Sequence, residues 1–192
     1  TEIEKVTGGS SDPAATASIC WASQIDGQYI PMGALFSLPA TLVQPTTRID
    51  SNRLYPVLLL RLQQQYCRAT FKLKAIDLYG KASGVFSIFR NPTISGTITW
   101  VNHPDTRSMV QYAIFANGVT EPTNTVTGGM CIFSGFYEKR VSVSASGSAE
   151  DLITETQFSS DIKGAPDVLC IAMSGFTDND DVNANVRWIE IT

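Results

Sequence analysis

Residues 85–115, VFSIFRNPTISGTITWVNHPDTRSMVQYAIF, decide the fold class because apolar and polar side chains alternate along them. In Thr97–Trp100 the isoleucine and tryptophan fall on one side and the threonines on the other, and Val110–Ile114 repeats the alternation. Turn-forming residues separate these runs, namely Asn91-Pro92, Ser95-Gly96 and His103-Pro104-Asp105. The segment has no helical period and predicts three short strands.

The same alternation continues through the chain and predicts an all-β protein. One of these runs, Val168–Met173, is apolar on both faces, which predicts a central strand. The only plausible helix is Ala149–Phe158. Eleven short strands favour an antiparallel β-sandwich with a jelly-roll-like topology: Ser18–Gln24, Tyr29–Leu38, Pro56–Leu62, Tyr66–Leu78, Gly84–Phe89, Thr93–Val101, Met109–Phe115, Gly129–Phe136, Lys139–Ala145, Asp167–Met173 and Asn185–Ile191.

Length and composition favour one domain with an N-terminal arm. The 192 residues are 43% hydrophobic and 17% charged, which is typical of a globular protein with one sizeable core. Residues 1–17 are rich in Gly, Ser, Ala and Thr and predict a flexible arm, and residues 18–192 a single sandwich domain. The arm lacks the order of a signal peptide, and no apolar run is long enough to span a bilayer. A net charge of −4 argues against nucleic acid or an anionic membrane as the main partner.

The four cysteines are dispersed and each lies among apolar residues of a predicted strand. Metal sites of the C-x-x-C kind are absent from the sequence. We therefore expect free, buried thiols that pack as small hydrophobic side chains, in a protein that folds in a reducing compartment: Cys20, Cys67, Cys131 and Cys170.

The sequence shows no catalytic motif and implies no cofactor. His103 is the only histidine, and it lies in a predicted turn, where a structural or exposed role is expected. Ser134 and Ser146 lack the G-x-S-x-G context of a nucleophile elbow and are expected to be ordinary strand and loop residues.

The acidic segment Asp178–Asp181 is the best candidate for an ion site. Calcium prefers closely spaced oxygen ligands, and Asp178, Asp180 and Asp181 supply three carboxylates. The segment lacks the glycine and distant glutamate of an EF-hand loop. A solvated loop before the last strand is therefore the expected structure, with no metal bound.

Aromatic residues divide into two expected groups. Trp21, Trp100 and Trp188 lie in strand patterns and are predicted to pack in the core or in an interface. Tyr137 and Phe176 lie closer to predicted loops, where an aromatic ring could stack on a sugar, but packing in the core or in an interface is the favoured expectation for them too.

Taken in order, the strand and turn motifs resemble a family of tailed-phage virion proteins, comprising structural proteins and capsid decoration (cement) proteins. The similarity covers about residues 18–192, and one departure is that Arg187 precedes Trp188. The motifs that carry the resemblance are Tyr55–Leu62, Arg90–Gly96, Ser108–Tyr112, Thr127–Gly129, Ser134–Phe136, Asp167–Cys170 and Val186–Ile191.

The resemblance implies a non-enzymatic decoration protein that binds the major capsid protein and stabilises the shell. We expect a homotrimer on the capsid exterior of a virion assembled in the host cytoplasm, without nucleic-acid or membrane partners. Ile3 and Val6 are the arm's only large aliphatic side chains, and they are the expected anchors on the capsid.

A second interpretation is a receptor- or carbohydrate-binding head of a head fibre or tail fibre. Its site would combine Tyr137, Phe176 and the acidic segment Asp178–Asp181.

Overall fold

The computed structural model describes residues 22–25, 28–31, 33–39, 47–51, 53–115, 124–138, 143–144 and 156–191. The chain forms two compact units, Thr1–Met32 and Gly33–Thr192. The predicted arm of residues 1–17, including its boundary, lies outside the described residues.

The described residues form sixteen strands and one 3-10 turn at Gln64–Tyr66. The strands are β1 (Ala22–Ile25), β2 (Gln28–Pro31), β3 (Ala34–Ser37), β4 (Thr47–Ile49), β5 (Tyr55–Leu62), β6 (Thr70–Gly80), β7 (Gly84–Arg90), β8 (Thr93–Ile94), β9 (Val101–Asn102), β10 (Val110–Ile114), β11 (Val126–Thr127), β12 (Met130–Tyr137), β13 (Val143–Ser144), β14 (Gln157–Phe158), β15 (Val168–Gly175) and β16 (Asp180–Ile191). In the first unit, β1 and β2 form an antiparallel hairpin.

The second unit contains two six-stranded antiparallel sheets. The first sheet has the order β12-β7-β15-β5-β10-β9. In the second sheet β6 and β16 are central, β13 and β14 pair with β6, and β3 and β4 pair with β16. Residues of both sheets share one hydrophobic core, so the sheets pack face to face. The prediction of an all-β antiparallel fold is confirmed, and the jelly-roll topology stays a prediction.

β15 confirms the prediction of a central strand that is covered on both faces. Leu169, Ile171 and Met173 lie in the core between the sheets. Cys170 and Ala172 point the other way, into a second cluster on the outer face of the first sheet. Pro56 is tolerated in the neighbouring strand because the β5–β15 register shifts at that point.

Two predicted strands are interrupted. Tyr29–Leu38 divides into β2 and β3, and Pro31, which has no N–H to extend the pairing, ends β2. Of Thr93–Val101 only the ends are strands, because Gly96 has a φ of +86° that breaks the extended chain. The intervening Ile98 and Trp100 pack on the second cluster without a partner strand.

Other boundaries also differ from prediction. β16 begins at Asp180, five residues before the predicted Asn185, because outward asparagines in its first half concealed the alternation. The predicted helix Ala149–Phe158 ends in β14 instead, and its residues 149–155 lie outside the described chain. None of the described helical segments has the length and apolarity that a membrane span requires.

The cysteine prediction is wrong at two positions. Cys170 is buried, but Cys67 and Cys131 are exposed free thiols. Cys67 lies in the turn after the 3-10 segment and not in the predicted strand Tyr66–Leu78, so no strand alternation turns its side chain inward. Cys131 lies beside a register shift of β12, which disturbs the alternation there. Cys20 lies outside the described residues.

Substitution of Gly84 can measure how tightly one end of the sandwich is packed. A Cβ atom at this position would lie 2.2 Å from the Ser174 carbonyl oxygen and 2.4 Å from the Tyr137 hydroxyl. We expect Gly84→Ala to reduce the free energy of unfolding by about 2 kcal/mol. Gly128→Asn is the control, because no atom lies within 4 Å of its Cβ position and asparagine tolerates the local φ of +62°. Urea unfolding measures both, and equal stabilities would contradict the packing argument.

Candidate functional site

The three carboxylates of the predicted ion site contact different partners. Asp178 Oδ1 accepts hydrogen bonds from the Ser51 hydroxyl at 2.6 Å and the Ser51 N–H at 2.9 Å, which together lower the pKa of Asp178. Asp181 lies 3.8 Å from Lys81 Nζ. Asp180 points into the protein. Among the described residues, no group of three His, Cys, Asp or Glu side chains is placed to hold a metal ion.

Asp180 forms a buried pair with Tyr137. The Tyr137 hydroxyl donates to Asp180 Oδ2 at 3.0 Å, and the Ala82 N–H donates to Oδ1 at 2.7 Å. Burial raises the pKa of Asp180 despite these hydrogen bonds. Burial, followed by the nearby Asp180 charge, also raises the pKa of Tyr137 far above its ordinary value. The pair closes one end of the sandwich.

Tyr137 therefore packs in the core, which was the favoured expectation, and is not an exposed loop aromatic that could stack on a sugar. It is the last residue of β12, its side chain is 1% exposed, and its ring fills the space above Gly80 and Gly84. The local sequence does not reveal this role, because both glycines come from other strands.

We expect Tyr137→Phe to reduce the free energy of unfolding by about 2 kcal/mol, because Asp180 loses a hydrogen bond to a charged group in a buried place. The control is Tyr79→Phe, since the Tyr79 side chain is 41% exposed. The control should change stability by less than about 0.5 kcal/mol. Guanidinium unfolding compares the two, and a Tyr137→Phe variant as stable as its control would contradict the role of this hydrogen bond.

A second buried carboxylate, Glu190, closes the opposite end of β16. It accepts hydrogen bonds from Ser108 Oγ at 2.5 Å, the Met109 N–H at 2.6 Å and Trp188 Nε1 at 2.8 Å. The carboxylate thus anchors the loop before β10 to the second sheet. Trp188 is fully buried, as predicted for the core.

His103 packs beside this cluster as a structural residue. Its ring lies 5.4 Å from the Trp188 ring and 5.7 Å from the Phe36 ring, both edge-on. Nε2 lies 3.0 Å from the Ser37 carbonyl oxygen, and Nδ1 accepts from the Asp105 N–H at 3.1 Å. Because both ring nitrogens are engaged, His103 could act as a base only by losing one of these bonds.

A third polar cluster joins β7 to the segment before β15. The carboxylate of Asp167 accepts from the Arg90 guanidinium, from Asn91 Nδ2 at 2.8 Å and from the Ser159 N–H at 3.1 Å. Burial acts to raise the pKa of Asp167, but these hydrogen bonds together outweigh it and the pKa is lowered. Asn91 adopts a φ of +51°, which asparagine tolerates.

The lowered pKa of Asp167 has a consequence for acid stability. Its ionised form stabilises the fold above the ordinary carboxyl pKa of about 3.9, and this contribution is lost as the pH falls through the lower pKa of the folded state. We expect Asp167→Asn to cost about 2 kcal/mol at pH 7 and progressively less toward pH 2. Urea unfolding of both proteins at several pH values measures the difference, and a difference independent of pH would contradict the ionic role.

A groove of about 770 Å³ lies on the outer face of the first sheet, in the described part of the second unit. Its floor consists of two cross-strand rows. Ser134 of β12 lies opposite Ser87 of β7, and in the adjacent row Phe136, Val85 and Ser174 lie side by side. The remaining lining comes from the chain before β5, from β11 and the residue before it, and from β7 and β12: Arg53, Leu54, Thr125, Val126, Thr127, Phe86 and Gly135.

Exposed aromatic rings flank this groove. The Phe136 side chain is 71% exposed and lies 6.2 Å from the ring of Phe176, which is 59% exposed. Phe176 is thus exposed and not packed in the core, and its aromatic neighbour is Phe136 instead of Tyr137. Ser134 and Phe136 are two residues apart in one strand, so the sequence predicts that they lie on the same face of the sheet. Their neighbours on adjacent strands cannot be predicted from the sequence.

The structure describes only one of the remaining aromatic and anchor residues that the sequence singled out. Trp100 is half-buried in the second cluster, where the Arg61 guanidinium lies 4.1 Å above its ring. Trp21 and the predicted anchors Ile3 and Val6 lie outside the described residues.

No family model matches the chain. Neither a curated protein nor a solved structure matches it. The resemblance to tailed-phage virion proteins therefore stays a prediction from the order of the motifs, and the function is inferred below from the surfaces of the protein.

Proposed function

We propose that the chain is a non-catalytic structural protein of a tailed-phage virion, and specifically a decoration protein. In this role it binds the major capsid protein on the capsid exterior as a homotrimer. The ordered strand and turn motifs support the family. The exposed edge of the first sheet supports a role in binding another protein.

The observation that carries this proposal is the open edge at β12. Among the described residues β12 pairs on one side only, with β7. Its sequence, MCIFSGFY, contains no charged residue and no proline, the devices that usually prevent edge strands from pairing with other chains. A register shift between Cys131 and Phe133 interrupts its first part, but Phe133–Tyr137 pairs regularly.

An exposed apolar residue marks the start of this edge. Met130 is 63% exposed and is followed by the exposed Cys131. Addition of a strand from a partner protein would satisfy the free backbone groups of β12 and bury Met130. A neutral edge that is open in the single chain is thus suited to a protein that functions in an assembly.

We expect Met130→Lys to weaken binding to capsids that lack this protein by about tenfold or more, because a charge at a sheet edge opposes strand addition. Ile162→Lys is the matched control, since the fully exposed Ile162 lies in a turn outside both sheets. Cosedimentation with capsids measures both. If Met130→Lys and Ile162→Lys bind alike, β12 is not the contact edge.

The predicted arm provides a separate test of the capsid interaction. Deletion of residues 1–15, which removes Ile3 and Val6, is expected to weaken capsid binding, because the arm would distribute affinity over a longer contact. Full affinity of the truncated chain would show that the arm is not an anchor. Light scattering of the purified protein tests the trimer, and a monomer at high concentration would contradict it.

The alternative site of a fibre head loses two of the residues expected for it. Tyr137 and Asp180 are hydrogen-bonded to one another inside the sandwich, whereas Phe176 and Asp178 are exposed. The structure therefore does not bring the expected aromatic and acidic residues together on one surface.

A further inference from the structure

We propose that the groove on the outer face of the first sheet binds an acidic saccharide. The site consists of Phe136 at the opening, three serine hydroxyls on the floor and Arg53 on the wall. Its volume of about 770 Å³ lies within the range of sites that bind small molecules, which is about 300–1,000 Å³. Ser134 and Phe136 of this site belong to β12, but the site uses their outward side chains, whereas strand addition at the edge assigned to the capsid would use the free backbone groups of β12.

The aromatic side chain explains why a sugar ring fits. A pyranose presents C–H groups on one face, and these pack on the electron-rich face of an aromatic ring. Phe136 is 71% exposed on an outward position of the sheet, although burial inside the sandwich is the usual place for phenylalanine. Phe176, with its ring centroid 6.2 Å away, extends the apolar surface.

The floor supplies hydrogen-bonding groups that the protein itself does not use. Ser87 and Ser174 are 8% and 7% exposed. Within the described chain, no group forms a hydrogen bond with their hydroxyls or with that of Ser134. Among the described residues, Ser160 Oγ is the only side-chain polar atom that is both enclosed and without a hydrogen-bond partner. The Ser87 and Ser174 hydroxyls have no partner among these residues either, so they cannot be enclosed and must be accessible from the groove.

These hydroxyls match the chemistry of a carbohydrate. Each serine hydroxyl can donate one hydrogen bond and accept two, as can each hydroxyl of a sugar. Three neighbouring strands place the serines on one face, because Ser134 lies opposite Ser87 and Ser174 lies on the far side of β7. The sheet therefore holds the polar groups rigidly before a ligand binds, which reduces the entropy lost on binding.

Arg53 selects the acidic member of this ligand class. It is exposed, and among the described residues it is the only charged one that lines the groove. A guanidinium binds a carboxylate through two parallel hydrogen bonds, and none of the described lining residues is acidic and could compete for it. A saccharide that carries a carboxylate, as a uronic or sialic acid does, is therefore favoured over a neutral sugar.

The experiment uses the full chain on an array of acidic and neutral oligosaccharides, followed by calorimetric titration of the strongest ligand. We expect an acidic oligosaccharide to bind. Phe136→Ala should weaken its binding about tenfold or more, and Ser87→Ala about twofold to tenfold. Arg53→Gln should remove the preference for acidic over neutral saccharides. Ile162→Ala is the control, because Ile162 is exposed and does not line the groove.

Stability measurements separate a binding role from a folding role. Ser87→Ala removes a hydroxyl without a protein partner, so the variant should unfold at the same denaturant concentration as the wild type while binding more weakly. Absence of binding on the array at millimolar concentration would overturn the proposal. Binding that survives both Phe136→Ala and Ser87→Ala would also overturn it, as would a preference for neutral sugars. Capsid cosedimentation of the same variants tests the decoration role independently.

Discussion

Two buried carboxylates on one strand are the constraint on which the sandwich depends. Asp180 and Glu190 lie near the two ends of β16, on the row of side chains that faces the core, with valine, alanine and tryptophan between them. A carboxylate in such a place is tolerated only if hydrogen bonds replace its hydration. Each therefore binds groups from outside β16: Tyr137 and the Ala82 N–H at one end, Ser108 and the Met109 N–H at the other.

These hydrogen bonds connect the two sheets at places where hydrophobic packing alone would not specify register. Tyr137 belongs to the edge strand of the first sheet, and Met109 immediately precedes β10 of the same sheet, so β16 is tied to both sides of it. A shift of β16 by one residue would turn both carboxylates outward and the asparagines inward. The polar ends thus define the register, and the apolar centre supplies most of the free energy of folding.

The outer face of the first sheet has a buried part and an exposed part. On its β5 and β15 side, Leu59, Cys170 and Ala172 lie beneath a second hydrophobic cluster to which Trp100 and Ile98 contribute. Toward β7 and β12 the outward residues include Ser87 and Ser134, and among the described residues the cover ends at β11. The groove lies where the described cover ends, beside the open edge of β12. Chemistry-bearing residues such as His103 and Asp167 are used inside the fold, so recognition is left to the surface.

Much of the fold follows from residues that are close in sequence. Two-residue alternation and short apolar runs were sufficient to predict β5, β7, β10 and β15, and the apolar run predicted that β15 is buried on both faces. The same rule failed for Ser95–Trp100, where the alternating side chains pack on a neighbouring layer while the backbone pairs with no strand. Alternation also failed to show that β16 begins within the acidic segment. Aspartate is typical of loops, and its burial at Asp180 depends on a partner that the local sequence does not reveal. Phe136 and Ser87 were not recognised as a site because they are far apart in sequence.

The sequence by itself determined the all-β class, the positions of the main strands and the core position of Trp188. These properties depend on side-chain periodicity, which is local. Only the tertiary structure decided that Asp180 is buried with Tyr137, that Cys67 and Cys131 are exposed, and that three serines share a groove with Phe136. The physical reason is that each of these depends on which strands pair and in which register, and those contacts join residues that are distant in the chain.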